Sequence, residues 1–168
     1  MACVRLYLGI LFAAPVSILT GLFYILPFWA FGWHRYLGVK RSTTNKSSLG
    51  IGLAWALTDK APQWLQRAWI EWGGHCVGSF IVVKLTSTDN SDRQRILINH
   101  ELHHVHQIHT FGIFQPILYV LALLTAWAAG EHPYLANHFE VAARRAAGQI
   151  ADPQSFTQGF AWCKGSHK

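Results

Sequence analysis

From Leu6 to Trp33 the chain carries no charged residue over 28 consecutive positions, and the run ends in Trp29 and Trp33. About 20 apolar residues are enough to cross the hydrocarbon of a bilayer, so this segment reads as a membrane helix with length to spare. A cleaved signal peptide is the competing reading, but its apolar region is about 7–15 residues and is followed by a small-residue cleavage site. This run is too long. Pro15 and Pro27 are expected to kink it or to fold it into a re-entrant hairpin. Beyond it come Arg35, Lys40, Arg41 and Lys46, against Arg5 before it, a bias that places residues 34 onward on the cytoplasmic side. The chain therefore divides into a membrane anchor, transmembrane or membrane-embedded, at 1–33 and a domain at 34–168.

Charge decides what kind of partner the domain meets. Charged residues make up 13% of the 168 residues, about half the usual share, so the chain is no disordered acidic or basic tail. The formal charge is +6, yet there are 8 Trp and 10 Phe and no dense Lys/Arg run. Membrane lipid explains that sign better than nucleic acid, which is excluded as a partner. Cys3, Cys76 and Cys163 are odd in number and form no CxxC pair, so neither a disulfide framework nor a thiolate zinc site is indicated.

Along the domain, residues 42–48 (STTNKSS) read as a polar linker. Pro62 suits a first helical turn, and Trp64, Leu65, Ala68, Trp69 and Trp72 recur at helical spacing as a stripe facing the core or a membrane interface. Gly73, Gly74 and Gly78 interrupt that helix. Residues 77–86 (VGSFIVVKLT) then read as one strand rich in β-branched side chains. Ser91 and Gln94 fit a capping box, and a helix follows from about Asp92 to His109. The expected fold class is mainly α with a small β element.

Five of the ten histidines lie between positions 100 and 109. His100, Glu101 and His104 spell H-E-x-x-H, the arrangement of a zinc hydrolase. At about 100° per residue, His104 lies about 40° round from His100 and one turn along, so both imidazoles converge on one ion. Glu101 sits on the flank of that face, where it reaches a metal-bound water without displacing it and suits a general base. His103 lies on the opposite flank, free for a supporting role. His106 and His109 fall on the far side and are expected at the surface or an interface. A third ligand is needed. The metzincin pattern is excluded, because Gln107 and Thr110 stand where its glycine and third histidine belong. Glu131 and Glu140 remain: Glu131, between Gly130 and Pro133, sits in a turn, whereas Glu140 lies on a helical pattern and is the better anchor. Ala143, one turn on, lets that helix approach closely.

HELHHVHQ (100–107) followed by YLANHFEVAARRA (134–146) resembles the minimal gluzincin-type zinc metallopeptidases of bacteria and phages, over roughly residues 77–148. That resemblance implies a minimal zincin-like helical core, Zn²⁺ held by His100, His104 and Glu140, and Glu101 as catalytic base. It also implies that the strand at 77–86 offers an edge to an extended polypeptide substrate, and that Tyr134 steadies the oxyanion. With the anchor, it implies a membrane-bound metallopeptidase of the bacterial inner membrane, its site on the cytoplasmic side. The oligomeric state is left open.

One internal test bears on topology. A second uncharged stretch, Thr110–Gly130, is 21 residues long; if it spanned the bilayer, His104 and Glu140 would finish on opposite sides and could not share an ion. Gln115 and Pro116 interrupt it. The 13 apolar residues from Ile117 to Ala129 cover only about 20 Å as helix, against a hydrocarbon core of about 30 Å. The segment 111–129 is therefore expected to be a helix in the domain core or re-entrant in one leaflet. Two other functions compete. His100, His103 and His104 also spell HxxHH, as in membrane di-iron oxygenases and desaturases, but the remaining histidines (34, 75, 132, 138 and 167) form no second box. A non-catalytic metal-binding or assembly protein is the other alternative.

Overall fold

The structure, a computed structural model, describes residues 2–41, 50–84 and 91–149, apart from the side chains of residues 2–6, 68–72 and 91. The uncharged N-terminal run is helical as far as Ala30, as α1 (Ala2–Thr20), a π-helical turn (Gly21–Ile25) and α2 (Leu26–Ala30). Pro15 sits inside α1 without ending it, so no re-entrant hairpin forms. The wide turn directly precedes Pro27, whose missing N–H and bulky ring would otherwise strain the helix; there the Leu26 N–H donates back to the Gly21 carbonyl.

The four strands were only partly foreseen. β1 (His34–Arg41) and β2 (Ile51–Leu57) pair antiparallel across the expected linker 42–48, which lies outside the described residues. After α3 (Gln63–Trp72), the single strand expected at 77–86 is two, β3 (Gly74–Val77) and β4 (Phe80–Val83), with residues 85–86 outside the described set. Gly78, at φ +61°, turns the chain between them, a conformation that glycine adopts without steric cost. The sheet order is β1-β2-β4-β3, with β2 and β4 parallel. The open sheet edge on this side is β3 and not the expected 77–86, because Phe80–Val83 is paired on both sides.

Period-two alternation in the two inner strands explains the layering. Ala54, Ile81 and Val83 face one way and pack on Ile98, Leu102 and Val105 of α4 (Ser91–Phe111). Leu57 and Val82 face the other way and pack on Ile25 and Leu65, with Tyr24, Phe28 and Trp33 closing that cluster. The sheet thus lies between α4 and the N-terminal helix, which is a layer of the domain as well as an apolar surface. Leu65 is buried but Trp64 points outward, so the stripe expected on α3 splits after its first residue; the side chains of Ala68, Trp69 and Trp72 lie outside the described set.

α4 runs through a 3₁₀ turn (Gly112–Phe114) into α5 (Gln115–Ala128), and the chain returns to α6 (His138–Ala146). The structure is mainly helical with one small sheet, as expected. Two helical stretches, Tyr7–Ala30 and Asp92–Ala128, are long and apolar enough to cross a membrane. On α5, however, Ile117, Val120, Leu121, Leu124 and Trp127 are each at least half exposed among the described residues.

Candidate metal centre

α4 carries His100 and His104 one turn apart on a buried face, and α6 brings Glu140 against them. Asn137 makes that possible: its side chain accepts from the Phe139 N–H at 3.0 Å, capping α6, while its Nδ2 donates to the Tyr119 carbonyl on α5 at 3.3 Å. A capped start puts Glu140 in the first turn of α6, aimed at α4. Ala143 is fully buried, so a methyl is all that fills its place on α6.

The three donors close a triangle. His100 Nε2 lies 3.2 Å from His104 Nε2 and 3.3 Å from Glu140 Oε2, and His104 Nε2 lies 3.2 Å from Glu140 Oε1. Zinc–ligand bonds of about 2.0–2.1 Å in a tetrahedron place ligand atoms about 3.3 Å apart. The spacing therefore fits one such ion.

The hydrogen bonds behind the imidazoles point the same way. Gln107 Nε2 donates to the Phe139 carbonyl at 3.0 Å, which turns its Oε1 toward His104 Nδ1 at 2.8 Å. An amide oxygen only accepts, so Nδ1 holds the proton and neutral His104 presents a lone pair at Nε2. His100 Nδ1 likewise faces Gln149 Oε1 at 2.8 Å. Two lone pairs and a carboxylate converge in a buried space, which demands a cation. In the metal-free chain a proton fills that need. Burial works against a charged His104, but its hydrogen bond and attraction to Glu140 outweigh it and raise its pKa. Burial alone would raise Glu140 too, yet the imidazoles hold it well below the ordinary carboxylate range. Proton and divalent ion compete for one place. Among the described residues, His100, His104 and Glu140 form the one such three-ligand group.

Around the triad lies a cavity of about 140 Å³ lined by His75, Cys76, Glu101, Gln115, Tyr119 and Tyr134. Glu101 is buried against β3, where a Cβ on Gly74 would come within 3.1 Å of its Oε1. Burial raises the Glu101 carboxyl, with His100 and His104 pulling the other way. Tyr134 lines the same cavity, and Arg144 lies 5.7 Å from its ring.

Glu131 stays exposed in the turn after α5, outside the triad. His103 is half-buried beside His106, their rings 5.9 Å apart. His109 departs from expectation: it is buried, with Nε2 3.0 Å from Ser79 Oγ, because α1 covers that side of α4. Three further residues at the centre belong to no motif in the sequence. Tyr119 donates from its hydroxyl to Glu140 Oε1 at 2.8 Å. Arg144 is buried, donates to the Leu135 carbonyl and lies 4.0 Å from Glu140 Oε2. Gln149 holds His100. A hydroxyl inside ILYVLALL and an arginine four residues after Glu140 were the available signals.

Compared with protein-family models, curated proteins and solved structures, the chain gave no match.

Proposed function

We propose that the chain is a membrane-associated zinc metallopeptidase, with His100, His104 and Glu140 holding Zn²⁺, and that it hydrolyses peptide bonds of a polypeptide at the cytoplasmic face of a bacterial inner membrane. The observation that carries this reading is the convergence of three ligand atoms, two imidazole Nε2 and one carboxylate, 3.2–3.3 Å apart, with a buried glutamate next to the first of them. Zinc, when bound, supplies a Lewis acid that activates water and polarises a carbonyl.

The remaining steps belong to this chain's own groups. The Glu101 carboxylate takes the proton of the attacking water and returns it to the departing amide nitrogen. A carboxyl raised by burial suits both halves of that transfer, since it holds the proton between them. The Tyr134 hydroxyl, at the cavity wall, donates to the carbonyl oxygen as charge develops there. β3 pairs with β4 on one side only, so its other edge can take an extended peptide as an added strand beside Glu101. The basic residues after the N-terminal helix, Arg35, Lys40 and Arg41, support the cytoplasmic side.

The test uses the full-length chain in lipid nanodiscs with a quenched fluorescent protein substrate. About one zinc per chain is expected. Glu101→Gln should keep that zinc and lose about 10²–10⁴-fold in cleavage, since it removes a proton carrier and no ligand. Cleavage by Glu101→Gln at the wild-type rate would end the proposal.

A further inference from the structure

α5 has two faces with different business. Outward it presents Ile117, Val120, Leu121, Leu124 and Trp127, each at least half exposed, and from Thr110 to Gly130 there is no charged residue. Inward it buries little: Gln115, Ala122 and Ala126. Yet that thin inner contact includes both bonds of Tyr119, the hydroxyl to Glu140 Oε1 at 2.8 Å and the carbonyl from Asn137 Nδ2 at 3.3 Å. A metal ligand and the cap of its helix are thus fastened to a helix that, among the described residues, buries little of itself.

The outer face continues the apolar surface of the N-terminal helix. Phe12 of α1 meets Phe111, Phe114, Ile117 and Leu118 across an open apolar groove of about 500 Å³. Along the N-terminal helix the exposed side is equally apolar, with Leu11, Ile18, Leu22, Phe23 and Trp29 in the open. A surface this large and uncharged, running on from a helix long enough to cross a membrane, fits acyl chains; protein interfaces carry a polar rim and about one hydrogen bond per 100–200 Å².

We propose that the outer face of α5 docks into lipid acyl chains and that Tyr119 is the positioning residue through which this docking sets Glu140, so that zinc affinity depends on lipid contact. The proposal rests on the metal reading above. Lipid fixes the position of α5; α5 fixes Tyr119; Tyr119 and Asn137 fix the carboxylate and the helix that carries it. Residues that orient a metal ligand are commonly worth 10–100-fold in metal affinity, and here that contribution is conditional on the bilayer.

The experiment places the full chain in nanodiscs of phosphatidylcholine and phosphatidylglycerol and measures zinc affinity by competition with a fluorescent chelator. Brominated lipids report contact: the Trp127 signal, taken as the difference between wild type and Trp127→Phe, should be quenched. Leu124→Glu, at a side chain 53% exposed among the described residues, should weaken zinc binding about 10–100-fold, as should Tyr119→Phe. The two together should cost no more than either alone, because both break the same linkage; additive losses would refute the coupling. If Leu124→Glu does not fold, Leu124→Asn serves in its place. Unquenched Trp127, or wild-type zinc affinity in the Leu124 variant, overturns this proposal and leaves the metal reading standing. A wild-type chain that takes no zinc at all overturns both.

Discussion

Gln107→Leu isolates the argument that His104 is held in one tautomer. Leucine matches glutamine in size, so the change removes two hydrogen bonds and little packing. Those bonds are the Nε2 donation to Phe139 at 3.0 Å and the acceptance from His104 Nδ1 at 2.8 Å. The Phe139 carbonyl sits in a helix and keeps its helical partner, so the main orphan is the His104 Nδ1–H. A buried donor without an acceptor costs about 1–3 kcal/mol, and that is the expected loss of stability in the metal-free chain. His104 can escape it by giving up the Nδ1 proton and keeping one at Nε2, which leaves a donor where the metal needs a lone pair. Zinc affinity should then fall about 10–100-fold, or about 1.4–2.7 kcal/mol. Gln107→Glu separates the two roles: it keeps an acceptor at Nδ1 and loses the donation to Phe139. Its zinc affinity should stay near wild type while its stability falls. Chelator competition gives the first quantity and thermal unfolding of the chelated protein the second. Zinc binding by Gln107→Leu within about two-fold of wild type would refute the tautomer argument.

The remaining predictions probe the triad, the fold and the topology. His104→Ala and Glu140→Ala should each lose zinc at concentrations that saturate wild type, as read by metal analysis after gel filtration; Glu131→Ala should not. Gly78→Ala should destabilise the chain by about 2–4 kcal/mol, since its φ is left-handed and a Cβ would fall 2.6 Å from Ser17 Oγ and 2.8 Å from Ser17 Cα. An unchanged melting temperature would contradict that packing of α1. Reporters fused after Lys46 and after Gly148 should score on the same side of the membrane, and opposite sides would sink the assignment of Glu140.

How much of this could be read from residues alone varied with the kind of signal. The helix bearing His100 and His104, and the choice of Glu140 over Glu131, followed from helical spacing and turn residues, both of which are local. The sheet was harder. HRYLGVKR mixes charge with glycine, and IGLAWAL is a short apolar run that periodicity cannot divide between strand and helix. VGSFIVVKLT hid a reversal because Gly78 looked like one more residue of a strand. His109 was placed outside because angle on α4 says nothing of what covers that angle; α1 does. The roles of Tyr119 and Arg144 are unreadable for a related reason. One is a hydroxyl in an apolar helix and the other one of two adjacent arginines, and only tertiary contact shows which way each turns.

Under the proposed lipid docking, the posture of α5 follows from the ends of that helix more than from its length. His104 and Glu140 touch, so the chain between them leaves and returns on one side. A descent along the helix axis would carry the far end into hydrocarbon. That end is Gly130 and exposed Glu131 in an open turn, where the Gly130 and Glu131 N–H groups donate back to Trp127 and Ala126. Irregular backbone and a carboxylate are both costly at that depth. The near end, with Gln115 and Pro116, is no better suited. A helix lying along the interface meets neither cost: both ends stay among headgroups and water, and the row from Ile117 to Trp127 enters the acyl chains sideways. In that posture the inner face, with Tyr119, meets the domain at the membrane surface, which is where the metal centre has to be if its substrate is a polypeptide at the bilayer.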